Sequence, residues 1–227
     1  MVWKIDDAQG NESKKIRWEI VPYTAGDVLE LGCGGEKAFQ HFVGVDNLHH
    51  AHEFVGFNMK NRPDIVVDTC ENMRRFGSQS WDSVFSSHLL EHIKDYKAAL
   101  REWWRVLKVG GYLVLYLPHK DFYPNMGQFG SNPDHKHDFL PSDIMAAMRE
   151  IGGWTLMENQ DRNGGQEYSF LQVYQKRSDR QCVMPEPVKG KKAAVVRYGA
   201  FGDMLQTSSI LPGLKAQGYH VTLYTGK

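Results

Sequence analysis

Short apolar runs, each closed by a glycine turn or a carboxylate, most constrain the fold of this chain. Asp27–Cys33 carries the turn Glu30-Leu-Gly-Cys-Gly-Gly35, Phe42–Asp46 closes on Asp46, and Ile65–Asp68 closes on Asp68. Asp82–Ser87 follows as a fourth run. Short apolar runs bounded by turn residues fit strands buried on both faces. Between Tyr96 and Leu107 the period changes: Ala99, Leu100, Trp103, Val106 and Leu107 recur at three- and four-residue steps, which predicts a helix. Gly110-Gly111 is expected to stop it, and Tyr112–Leu117 to form a fifth strand ending at Pro118. Strands alternating with helices predict an open, mostly parallel α/β sheet whose ligands lie beyond the carboxyl ends of the strands.

A loop rich in Gly, Asn and Pro runs from His119 to Phe139, long enough to suggest a functional segment. Pro141 to Ile151 reads as a helix ended by Gly152-Gly153, with Ser142 as its cap. Trp154–Glu158 and Tyr168–Tyr174 read as an antiparallel hairpin around Asn163-Gly-Gly165. The expected organisation is a flexible N-terminus over 1–15, a domain over 16–176 and a Pro- and Lys-bearing linker over 177–192. Trp18 and Ile20 are expected to pack on the domain. The last segment, 193–227, opens with the strand Ala193–Arg197. It continues through Gly199, Gly202 and a short helical stretch to a strand over Tyr219–Tyr224. A lone βαβ unit cannot cover both faces of its sheet, so the natural polypeptide is expected to continue past residue 227.

The 227 residues are 41% hydrophobic and 24% charged, an ordinary globular balance. Lys plus Arg and Asp plus Glu number 27 each, so no net charge draws the chain to nucleic acid or an anionic membrane. Cys33, Cys70 and Cys182 form neither a disulfide framework nor a zinc-finger spacing, which suits reduced thiols and a cytoplasmic location. The start lacks a secretory signal, and no apolar run reaches the roughly 18 residues of a membrane span.

The glycines after the first strand let the backbone turn sharply and approach a ligand. A carboxylate at Asp46 can accept both hydroxyls of a ribose, and one at Asp68 can meet an adenine amino group. Three such features in order, at three successive strand ends, form a sharper signal than any one of them.

Glu30-Leu-Gly-Cys-Gly34, Val45-Asp46, Asp68, Asp82 with Ser86-Ser-His-Leu-Leu-Glu-His92, and Val106-Leu-Lys-Val-Gly-Gly-Tyr-Leu113 resemble class I S-adenosylmethionine-dependent methyltransferases in order and spacing. The resemblance covers about residues 16 to 176 and implies a Rossmann-like sheet with S-adenosylmethionine as cofactor. It implies that Glu30, Gly32, Cys33 and Gly34 lie along the methionine and ribose. Asp46, with Asn47 beside it, would hold the ribose hydroxyls. Asp68 and the Thr69 backbone would face the adenine, and Ser87 and His88 would sit near the transferred methyl.

One departure stands out. Gly32 and Asp46 lie only 14 positions apart, where most of the family fits a full helix. A similarly short connection is familiar in a subgroup that often accompanies cell-surface polysaccharide genes. It argues against a dinucleotide oxidoreductase, which needs that helix N-terminus for a pyrophosphate.

Methyl transfer from a sulfonium mainly requires alignment and exclusion of water, with a general base if the acceptor is a hydroxyl. Candidates in or beside the long loop are His119, Asp121, Tyr123, His135, His137 and Asp138. His119 follows the fifth strand and is the preferred base, with His88 as the second catalytic candidate; either histidine can instead only shape the pocket. No metal site is expected, because neither His135 with His137 nor His49, His50 and His52 shows a third and fourth ligand. Glu91-His92 is read as orienting the next helix, and Trp103 and Trp104 as packing.

Val195 to Lys215, with Gly202-Asp203, resembles the opening of heptosyltransferase-type glycosyltransferases, where the aspartate is a candidate base. The donor-binding half is absent, so no sugar transfer is expected from this chain alone. The leading expectation is a methyltransferase acting on a sugar or glycan-related small-molecule acceptor. Methylation of another small metabolite or a protein stays open. So does a non-catalytic S-adenosylmethionine-binding domain that docks or regulates a fused glycosyltransferase.

Overall fold

The computed structural model describes residues 12–34, 37–47, 63–178, and the backbone of 191–197 and 219–225. The chain divides into two compact units, Met1–Cys182 and Val183–Lys227.

The first unit holds seven strands. They are β1 (Val28–Leu31), β2 (Val43–Asp46), β3 (Ile65–Val66), β4 (Trp81–Ser87), β5 (Leu107–Pro118), β6 (Trp154–Arg162) and β7 (Ser169–Lys176). Their order across the sheet is β3-β2-β1-β4-β5-β7-β6. The first five are parallel, while β7 runs antiparallel between β5 and β6. The hairpin read from Asn163-Gly-Gly165 is therefore present, and the order reverses beside β1, where a doubly wound sheet binds ligands.

One face of the sheet packs Leu29, Leu31, Val84, Leu113 and Leu115 against helices α2 (Tyr96–Val106) and α3 (Pro141–Ile151). Apolar residues at helical spacing drive this: Ala99, Leu100, Trp103 and Val106 of α2 are all fully buried. Asp95 caps α2 by accepting the Ala98 N–H at 2.9 Å. Trp103 adds a hydrogen bond from Nε1 to the Cys70 carbonyl at 2.8 Å. The opposite face packs Val28, Phe85, Val114 and Tyr116 against Ile16, Ile20, Ala38 and Phe42.

Several local expectations are corrected. Residues Glu12–Ile16 form a short helix, α1, with Glu12 and Ser13 buried, so order begins before residue 16. Ile20 packs on the sheet, but Trp18 is exposed, with the edge of Phe39 and the Arg17 guanidinium against it. Helix α2 stops at Val106 rather than at Gly110-Gly111, which lie inside β5. Glycine is required there because a Cβ on Gly111 would stand 2.4 Å from the Asp82 carbonyl oxygen. Helix α3 is capped by Asp143, whose carboxylate accepts the Leu140 N–H at 2.9 Å, and not by Ser142.

In the second unit β8 (Lys191–Arg197) and β9 (Tyr219–Thr225) pair in parallel. The helical stretch expected between them lies outside the described residues.

Candidate functional site

The carboxyl ends of β1, β2 and β4 bring the glycine turn, Asp46 and Ser87 to one edge of the sheet. Gly32 adopts φ +71°, and a Cβ there would meet Leu89 at 2.7 Å, so the turn can be tight only because it is glycine. Its N–H donates to the Val45 carbonyl at 2.8 Å, which ties the turn to the end of β2. Gly34, at φ +55°, gives its N–H to Asp46 Oδ2 at 2.7 Å, and Asp46 Oδ1 accepts the Asn47 N–H at 2.7 Å. Asp46 is thereby aimed along the edge of the turn.

Glu30 lies beneath the turn and is almost wholly buried. Both its carboxylate oxygens take the Ala38 N–H, at 3.0 and 2.9 Å, so it fastens the short β1–β2 connection. Burial pushes its carboxyl up to about 8. Cys33 points its thiol against Gly44 rather than outward, and burial raises its thiol well above the usual range. Of the Cys33 residue, then, only the backbone is left to line a ligand. Asp68 and Thr69 lie exposed just past β3, with Thr69 Oγ1 accepting the Glu71 N–H at 3.1 Å. The hydroxyls of Ser86 and Ser87, at the end of β4, are buried without a hydrogen-bond partner. His49, His50 and His52 lie outside the described residues.

These features offer a ligand a carboxylate at the end of β2, a second just past β3 and, among the described residues, buried hydroxyls with no hydrogen-bond partner. Lys37, nearest the turn, is tied to Asp64 at 2.8 Å and to the Phe42 carbonyl at 2.7 Å. Two depressions of the unit lie elsewhere. One of about 360 Å³ is bounded by Tyr96, Met126, His137 and Asp138, and one of about 420 Å³ sits at the opposite end of β4 and β5. Neither is bounded by Asp46 or Asp68. That edge is flanked in sequence by residues 35–36 and 48–62, which lie outside the described set.

The long loop 119–139 folds beside this edge. His119 is buried and stacked on Phe122 at 4.1 Å. Its Nδ1 accepts the Asp121 N–H at 3.1 Å, and Nε2 faces Asp161 Oδ1 at 3.7 Å. His88 adopts φ +48°, a left-handed conformation that costs energy in any residue but glycine and collects at functional sites. Its Nε2 lies 2.8 Å from Ser169 Oγ and its ring touches Tyr116 and Tyr168. Burial, with Lys15, His135 and His92 nearby, holds its imidazole well below the usual range, so the ring is neutral.

Sequence reasoning missed a cluster around Glu91. His88, His92 and His135 all turn a ring nitrogen to Glu91 Oε1, at 3.8, 3.9 and 3.9 Å. His137 is not part of this cluster, since its Nε2 turns to the Ile93 and Lys94 carbonyls. The signal was present in His88-Leu-Leu-Glu-His92, but its partner His135 is joined only by the fold.

Five parallel strands with an antiparallel β7 inserted before the edge strand define the class I methyltransferase architecture. Residues 29–115 match the family of methyltransferase domains. The chain thus carries a methyltransferase domain, an enzyme whose cofactor is S-adenosylmethionine. Solved structures agree in fold. The SAM-dependent methyltransferase, possible histamine N-methyltransferase, of Thermotoga maritima superposes with a TM-score of 0.57 at 16% identity, covering 77% of this chain and 92% of that one. A SAM-dependent methyltransferase of Archaeoglobus fulgidus gives 0.52 at 16%, covering 72% and 94%. The [4+2]-cyclase SpnF gives 0.51 at 15%, covering 72% and 81%, so the architecture also serves other chemistry. No curated protein matches the sequence. Among the described residues no helix is long and apolar enough to cross a membrane.

Proposed function

We propose that this domain methylates a small sugar or glycan-linked acceptor at the carboxyl ends of β4 and β5. The observation that carries the reading is that the Gly34–Asp46 edge closes β1 and β2 while His88, in ring contact with Tyr116 and Tyr168, follows the carboxyl end of the adjacent β4. Bound S-adenosylmethionine supplies an activated methyl on a sulfonium. Asp46 holds the ribose hydroxyls, Asp68 with the Thr69 backbone meets the adenine, and the Ser87 hydroxyl faces the amino-acid tail. Glu30 acts at a distance, by holding the turn through Ala38.

The proton of an acceptor hydroxyl goes to His88. Its ring is neutral, and in the tautomer that donates Nε2–H to Ser169 Oγ, Nδ1 presents a lone pair. His119 spends its Nδ1 lone pair on Asp121, which suits a role in holding the loop.

Support for a sugar-linked acceptor comes from residues 193–227. They resemble the opening of a heptosyltransferase-type enzyme, and β8 and β9 pair in parallel as a βαβ start requires. On this reading residues 16–176 form the methyltransferase domain and 177–192 the linker. The test is transfer of a labelled methyl from S-adenosylmethionine to a panel of sugar, nucleotide-sugar and amine acceptors. Label on a sugar supports the proposal. Label only on non-sugar acceptors overturns the acceptor class, and no label with tight cofactor binding overturns catalysis in favour of a docking role.

A further inference from the structure

We propose that Glu91, His92 and His135 form a site for one divalent transition-metal ion of the zinc, cobalt or iron(II) kind. One donor atom from each residue falls in a group whose members all lie within 4.8 Å of one another. Glu91 is fully buried, and neither carboxylate oxygen has a hydrogen-bond partner from another described residue. Burying a carboxyl with nothing to bind it is costly, and native proteins seldom leave one so. The nearest polar atoms are imidazole nitrogens at 3.8–3.9 Å, too far for hydrogen bonds. That spacing does suit a shared cation. Bonds of about 2.0–2.1 Å to nitrogen and oxygen place two donors at most about 4.2 Å apart, so donors as far as 4.8 Å apart draw together by about 0.6 Å to share one ion.

The backbone builds the site. The N–H groups of Lys136 and His137 donate to the Glu91 carbonyl at 2.8 and 3.2 Å, which clamps the loop over the turn that carries Glu91 and His92. His137 then bonds the Ile93 and Lys94 carbonyls, at 3.0 and 3.1 Å, and fixes the loop from the far side of His135. The rings of His92 and His135 meet edge to face at 4.8 Å, and His135 rests on Tyr123 at 5.3 Å. His92 is the partly exposed member and opens the cluster to solvent. Two imidazoles and one carboxylate are a ligand set of catalytic zinc and non-haem iron(II) sites, with positions left for oxygen donors. If the domain methylates a hydroxyl, as proposed above, that hydroxyl can occupy such a position beside His88.

The test uses the full chain stripped with a chelator and titrated with Co²⁺, followed by ligand-field absorption, with Zn²⁺ added in competition. One Co²⁺ per chain, displaced by Zn²⁺, is expected. His135→Ala and the isosteric Glu91→Gln should each weaken binding more than about 100-fold, and His41→Ala, at an exposed histidine on the β1–β2 connection, should leave the ion bound. Circular dichroism checks that each variant is folded, and a parallel S-adenosylmethionine titration reports the cofactor site separately. Absence of saturable binding by the folded wild type overturns the proposal. So does equal affinity in the Glu91 and His135 variants, which would place the ion elsewhere.

Discussion

Asp46 holds Gly34 in place: its Oδ2 accepts the Gly34 N–H at 2.7 Å across the ends of β2 and β1. The same carboxylate that is proposed to bind the ribose therefore also shapes the turn beside it. Asp46→Ala removes both functions at once. Charged hydrogen bonds contribute about 1.5–3 kcal/mol, so affinity for S-adenosylmethionine should fall about 10- to 100-fold by calorimetric titration. S-adenosylhomocysteine should be weakened equally, since both share the ribose. An unchanged Kd would remove Asp46 from the site.

Lys176 is fully buried, and its Nζ donates to the Trp104 and Leu107 carbonyls at 2.8 and 2.7 Å. Those carbonyls lie at the end of α2, where helical partners run out, and the lysine lets the chain pass directly into β5. Lys176→Met keeps most of the volume and strands both acceptors. A loss of about 2–3 kcal/mol is expected, read as a fall in Tm of roughly 5–10 °C. A Tm within a degree of wild type would show that the joint does not depend on this contact.

Features that act locally were legible in the sequence. The Gly32–Gly34 turn follows β1 and Asp46 closes β2, so pattern and position coincide there, whereas β3 stops at Val66, two residues short of the Asp68 at which it was expected to close. The same logic misled at Gly110-Gly111. A glycine pair after a helical period reads as a stop, whereas Gly111 is glycine because Asp82 of the neighbouring strand crowds it. Glu12 looked like part of a loose terminus because its partner, the Tyr168 hydroxyl, donates from 156 positions away. The Glu91 cluster was hidden for the same reason. His135 is set beside it by a backbone bond from Lys136, and the two-residue spacing of His135 and His137 carried no sign of the distant Glu91.

The buried titratable groups predict an uneven pH profile for the metal-free protein. Burial holds His135 down at about 4 and His88 well below the ordinary 6.5, so below pH 6.5 the unfolded chain binds more protons at these rings and stability rises with pH. Glu30 and Glu91 have the opposite sign. Burial raises each from 4.5 to about 8, so between those values the folded state holds the proton, and stability falls as pH climbs. Above pH 6.5 only the carboxyl contribution remains. Stability from denaturant unfolding with chelator present should therefore decline between pH 6.5 and about 8.5. Glu30 is faced by Ala38, Lys37, Ser13 and Asp64, and Glu30→Gln should flatten part of that decline. A profile that rises across this window would contradict the assignment.

The two histidines proposed at the acceptor can be separated by kinetics. His88→Asn keeps a residue type that tolerates the left-handed backbone at φ +48° and removes the imidazole. If His88 takes the acceptor proton, kcat should fall about 10²- to 10⁴-fold while the Kd for S-adenosylmethionine stays within about twofold. His119→Asn should behave differently. His119 is enclosed by Phe122 and Phe170, and its ring nitrogens serve Asp121 and face Asp161. Its loss loosens the loop, which raises KM for the acceptor and lowers kcat by less than about tenfold. The pH dependence of kcat distinguishes the roles further, because a base at His88 contributes a pH-dependent limb that His88→Asn abolishes and His119→Asn preserves. The reverse pattern would return the base to His119, and its Nδ1 would then have to release the Asp121 N–H when acceptor binds.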